Sequence, residues 1–210
     1  MEAKTSLWGG GASPYAVGSK KLGMWLFILS DALTFSALII SYSYVRLSTP
    51  DWPRPFHLWP SITVASIMTF CLLSSSITMV MAVSAAHRGL RAVCARWIGA
   101  TMLGGLAFLI LHANEWRLLI EEGLRPFENP FGPGGGPGAP MFGGTFFTLT
   151  GMHMLHVTVG VIYLAVIAMG FRLGKFDSED VEISGLYWHF VDLVWMFIFP
   201  MVYLLSVKMG

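Results

Sequence analysis

Polar positions are sparse along this chain, and they cluster. Five apolar runs, at about 22–45, 60–86, 97–116, 141–171 and 184–207, are separated by stretches that collect the charges, prolines and glycines. Each run reaches the roughly 20 residues that a helix needs to cross a hydrocarbon core about 30 Å thick. None carries an amphipathic stripe, as expected of helices that are apolar nearly all round. The pattern predicts an all-α membrane protein: a bundle of five transmembrane helices over residues 21–210, preceded by a flexible tail over residues 1–20.

The connections fit that division. Ser48 to Pro60 holds four prolines, Pro50, Pro53, Pro55 and Pro60. Glu121 to Pro140 contains Phe-Gly-Pro-Gly-Gly-Gly-Pro-Gly-Ala-Pro (131–140), which reads as a flexible exposed loop. Lys175 to Glu182 is an acidic, hydrophilic turn. The stretch from Met1 to Lys20 is rich in glycine and serine and lacks the apolar core of a signal peptide. Within the last run, Pro200 is expected to kink the helix. No internal repeat is visible, so an inverted-repeat transporter with Asp31 as a proton relay gains no support.

Charge gives the bundle a direction. With the N-terminus cytoplasmic, that side holds eight basic residues: Lys4, Lys20, Lys21, Arg88, Arg91, Arg96, Arg172 and Lys175. The other side holds five, Arg46, Arg54, Arg117, Arg125 and Lys208. The excess predicts a cytoplasmic N-terminus and a periplasmic C-terminus. Trp52, Trp59 and Trp116 outside, with Trp97 and Trp188 inside, are expected in the aromatic belts at the two interfaces.

Composition agrees with a membrane as the solvent. Of 210 residues, 55% are hydrophobic and 12% charged, half the charged share of about 25% typical of soluble domains. A net charge of +1 suggests no nucleic-acid surface. The two cysteines, Cys71 and Cys94, have no spacing that implies a disulfide framework or a thiolate metal site.

Against this background the intramembrane ionisable residues stand out. Asp31 lies ten residues past Lys21, hence about 15 Å deep at about 1.5 Å per residue. Asp192 lies at a similar depth, with His189 three residues before it on the same helix face. His153 and His156 form another such pair in the fourth run. His112 and Glu115 form a third, with Glu115 expected near the outer surface because Arg117 follows closely. Polar groups at membrane depth turn inward and find one another.

Two interpretations compete for this set. One is a metal-dependent membrane enzyme, since carboxylate and imidazole at this spacing on several helices resemble a di-iron bundle. The order here is His-x-x-Glu, His-x-x-Asp or His-x-x-His, whereas those bundles use Glu-x-x-His together with a Glu from each of two further helices. The other, which is preferred, has the groups hydrogen-bonding across helices and fixing their packing, at about 1 kcal/mol each. On that basis no catalytic, cofactor-binding or metal-ligating residue is assigned. Met152, Met154 and Met196 read as gap-fillers, and Ser74, Ser75, Ser76 and Thr78 as close-packing hydroxyls.

At these residues the chain resembles subunit III of the haem–copper terminal oxidases. The matching stretches are Gly-Met-Trp-Leu-Phe-Ile-Leu-Ser-Asp-Ala-Leu-Thr-Phe (23–35), Ser-Ser-Ile-Thr (75–78) and Ala-Asn-Glu-Trp (113–116). More specific are Gly-Thr-Phe-Phe-Thr-Leu-Thr-Gly-Met-His-Met-Leu-His-Val (144–157) and Tyr-Trp-His-Phe-Val-Asp-Leu-Val-Trp (187–195). The likeness runs from about residue 20 to the C-terminus. It is to the five-span bacterial form, which begins at the equivalent of the third helix of the longer, seven-span members. Those members hold phospholipid in a V-shaped cleft, and one arm of that cleft has no counterpart here.

The resemblance implies a multi-pass protein of the bacterial inner membrane with no redox cofactor of its own, haem and copper residing in partner subunits. It implies direct packing on the catalytic subunit I, the company of subunit II and other oxidase subunits, contact with membrane lipids including bound phospholipid, and a place among the respiratory complexes. Subunit III of this family sustains proton uptake and protects the enzyme during turnover. Asp31 matches the family's intramembrane acid in Leu-Ser-Glu/Asp; Asp there leans to quinol rather than cytochrome c as electron donor, with both left open. A subunit-III-like accessory protein of nitric oxide reductases shares the pattern.

Overall fold

In a computed structural model, residues 18–132 and 139–207 are described. The expected tail lies outside these residues up to residue 17, as do Lys4, Lys208 and the centre of the glycine-rich loop. Five long helices account for most of the rest: α1 (Ser19–Ser48), α2 (Thr63–His87), α3 (Arg91–Glu121), α4 (Met141–Arg172) and α5 (Ser178–Ile198). All five segments are long and apolar enough to cross a membrane. Helices α1 and α3 overrun their apolar runs at both ends, and in α3 charged residues such as Arg91, Arg96, Arg117 and Glu121 make the extension. Long basic side chains reach the interface from such positions while their stems lie along apolar surface.

The helices alternate in direction. Helices α2, α3, α4 and α5 close a four-membered ring of packed neighbours, and α1 lies outside it against α4 and α5. Burial follows that plan. Only Phe35 and Tyr42 are buried among the 30 residues of α1, whereas 12 of the 21 in α5 are.

Close approach is set by small residues. Trp188 of α5 is buried between Gly105 of α3 and Gly160 of α4; a Cβ at Gly105 would stand 2.5 Å from its ring. This corrects the expectation of Trp188 in an interfacial belt. Its indole N–H donates to Ser75 at 3.0 Å, which settles the polar end inside the bundle.

Local signals explain the helix ends. Asp177 caps α5, accepting from the Asp180 backbone at 3.0 Å while the Asp180 carboxylate accepts from the Asp177 backbone at 3.1 Å. The connection into α3 turns at Gly89 (φ 71°) and the one into α5 at Gly174 (φ 74°). At Pro200, which lacks an N–H, the α-helix stops at Ile198 and continues as a π-helical turn (Phe199–Tyr203) and a 3-10 turn (Leu204–Ser206). At the end where α1 begins, Lys20 pairs with Asp180 at 2.8 Å and Lys21 with Glu182 at 2.5 Å.

Candidate functional site

Asp31 finds one of its four expected neighbours. Its Oδ2 lies 2.9 Å from His156 Nε2, joining α1 to α4 within the membrane-spanning region. The other ring nitrogen, Nδ1, lies 2.8 Å from the Met152 carbonyl. A carbonyl only accepts, so Nδ1 carries a proton and donates it. Two states remain for the pair: neutral His156 accepting from a protonated Asp31, or an imidazolium donating to the carboxylate. In both the pair is neutral overall and holds one shared proton. Both side chains are mostly covered (16% and 12% exposed). Phe35 packs edge-on against the imidazole, and Tyr187 donates to the His156 carbonyl at 3.0 Å.

Between α2 and α5 the polar contacts are hydroxyl-mediated. Ser76 lies 2.6 Å from His189 Nδ1, one position beyond the serine that holds Trp188. Thr69 accepts from the Trp195 indole at 2.9 Å. The serines and threonines of α2 thus act as specific partners for α5, and Thr78 meets Thr101 of α3 at 2.8 Å. Asp192 is buried near this row, with no protein hydrogen bond to its Oδ1 among the described residues. His153, fully buried, has Nε2 3.1 Å from the Val191 carbonyl of α5, so this nitrogen carries the proton.

A third group sits at the opposite end from Lys20 and Lys21. Glu115 of α3 is close to the helix end, as expected, yet buried, and its Oε2 accepts from Tyr203 at 2.7 Å. His112, one turn deeper, is fully buried among Phe108, Trp116 and Trp195. Neither of its ring nitrogens has a protein partner among the described residues.

The seven residues singled out in the sequence therefore divide into three groups. Asp31 and His156 pair directly; His153, His189 and Asp192 serve the α4–α5 and α2–α5 seams; His112 and Glu115 stand apart at the far end. Among the described residues, no three or more His, Cys, Asp or Glu side chains converge closely enough to hold a metal ion. Sequence reasoning missed Tyr203, Tyr187, Thr69 and Trp195 as hydrogen-bonding partners. For Tyr203 a signal existed, a hydroxyl-bearing ring just after Pro200 in an apolar run.

With this geometry established, similarity to known proteins is informative. The family described as Cytochrome c oxidase subunit III matches residues 4–207. The chain is 31% identical to Cytochrome bo(3) ubiquinol oxidase subunit 3 of Pseudomonas aeruginosa, over 90% of this chain and 86% of that protein. It is 33% identical to Quinol oxidase subunit 3 of Bacillus subtilis, over 88% of this chain and 86% of the relative. To Cytochrome c oxidase subunit 3 of Alkalihalophilus pseudofirmus it is 30% identical, over 90% and 88% respectively.

Proposed function

Because the chain belongs to the cytochrome c oxidase subunit III family, we propose that it is the third subunit of a proton-pumping haem–copper terminal oxidase in a bacterial inner membrane. It packs on the catalytic subunit I, beside subunit II, and supports proton uptake and turnover stability there without performing the redox chemistry. Its N-terminus is cytoplasmic. The electrons reach the complex from quinol or from cytochrome c, and the relatives' names include both.

The observation that carries this reading is the Asp31–His156 pair. It holds one shared proton at membrane depth, on the helix least buried in its own bundle. Uptake or release of a proton changes the charge of such a pair, and by that exchange, rather than by transfer between its two members, it would buffer proton traffic in a neighbouring subunit. The lipid- or partner-facing side of α1 is strongly apolar, with Leu29, Leu33 and Ile40 each 60–67% exposed, which suits a further membrane subunit or bound phospholipid.

Purification from native membranes tests the assignment. A larger, haem-bearing, multi-span partner that reduces oxygen should accompany the chain, and quinol and cytochrome c oxidation assays then identify the donor. Recovery without haem, or with a partner that reduces nitric oxide instead of oxygen, would overturn it. Within the complex, Asp31→Asn should assemble normally and lose activity faster than wild type over prolonged turnover; unchanged endurance would reduce Asp31 to a packing residue.

A further inference from the structure

At the far end of the bundle, three neighbouring side chains on α3 offer polar atoms that no protein group among the described residues answers. Glu115, 8% exposed, commits Oε2 to Tyr203 but leaves Oε1 unpartnered. His112 is fully buried and leaves both nitrogens unpartnered, and Trp116 does the same with its indole N–H. His112 lies three residues before Glu115 and four before Trp116, so it neighbours both of them on the surface of α3.

The same face opens outward. Glu115 lines a cavity of about 1140 Å³ at this end of the bundle, whose other walls include Arg46, Asp51, Trp52 and Arg54. The row therefore runs from a charged cavity into an interior walled by Phe108 and Trp195.

The chemistry of the row selects its occupant. An occupant has to donate to Glu115 Oε1 and to the unprotonated nitrogen of His112. It also has to accept from the other His112 nitrogen and from Trp116. An ammonium or a metal cation accepts from no N–H, and a halide donates to nothing. Water does both, and a buried water needs roughly two to four polar partners, which this row provides. In hydrocarbon, unanswered groups of this kind are costly enough that they are regularly found hydrated or paired.

We propose that ordered water from the far-end cavity occupies the space along Glu115, His112 and Trp116, making Glu115 a carboxyl in proton exchange with the aqueous phase on that side. On the topology proposed above, this is the face opposite the cytoplasm. The site is separate from the Asp31–His156 pair, and its hydration does not depend on which complex the chain joins.

Hydroxyl-radical footprinting of the chain in native membranes tests it, since radicals generated in bound water label adjacent buried side chains. Tyr203 is fully buried, as is Trp188, whose indole is answered by Ser75. Labelling at Tyr203 and His112 should exceed that at Trp188 several-fold, although tryptophan is the more reactive ring. Equal protection of all three would overturn the proposal. Glu115→Gln should preserve the labelling, and Glu115→Leu should suppress it at Tyr203 and His112 while Trp188 stays protected. Undiminished labelling in Glu115→Leu would equally remove Glu115 from the site.

Discussion

Asp31 and Glu115 are both acids in membrane-spanning helices, and the bundle treats them differently. Asp31 belongs to the most peripheral helix and is matched by His156 on another helix. Glu115 belongs to the inner ring, and one of its oxygens has no protein partner among the described residues. Burial alone therefore does not govern how well a polar group is answered. What differs is the purpose of the contact: the Asp31 pair fastens α1 to α4, where few buried apolar side chains do so. The ring helices are already held by Trp188 wedged between two glycines and by the α2 hydroxyls.

The comparison can be broken by substitution. Asp31→Leu should have the largest effect, because it strands His156 Nε2; a loss of about 1–3 kcal/mol is expected in denaturant unfolding of the purified protein. Adding His156→Leu should recover part of it. The double variant is expected to be roughly 1 kcal/mol more stable than the sum of the two single losses, and simple additivity would show that the pair does not hold α1. Tyr203→Phe should cost about 1 kcal/mol through the lost hydrogen bond to Glu115. His112→Phe should change stability least, within about 0.5 kcal/mol, since it keeps the ring packing and strands no protein group. A loss at His112 as large as that at Asp31 would erase the distinction between the two sites.

Much of the fold was readable because lipid imposes a simple rule on sequence. A helix crossing it needs a long apolar run, and five such runs became five helices. Depth along each run likewise identified which acids and histidines lie inside. Depth says nothing about rotation around a helix, and that is where the reading ran out. It offered Asp31 four neighbours at similar levels, and the side-by-side placement of α1 and α4 selected His156. It expected Trp188 at an interface, since tryptophan favours one, and could not see that Gly105 and Gly160 would open a slot for it from two other helices. The hydroxyls of α2 were recognised as close-packing residues, but their bonds to His189, Trp188 and Trp195 depend on how α2 faces α5.

The placement of α1 also has a consequence in time. Every cross-helix polar anchor of this helix lies late in the chain: Asp31 on His156, Lys20 on Asp180, Lys21 on Glu182, and Tyr42 and Arg46 on Ser206. Synthesis runs from the N-terminus, so α1 enters the bilayer well before any of these residues has been made. During that interval Asp31 has no partner at a depth where a carboxylate costs about 2.5–3.5 kcal/mol on insertion scales. The arrival of α4 brings His156 to it and converts a provisional passenger into a fastened helix.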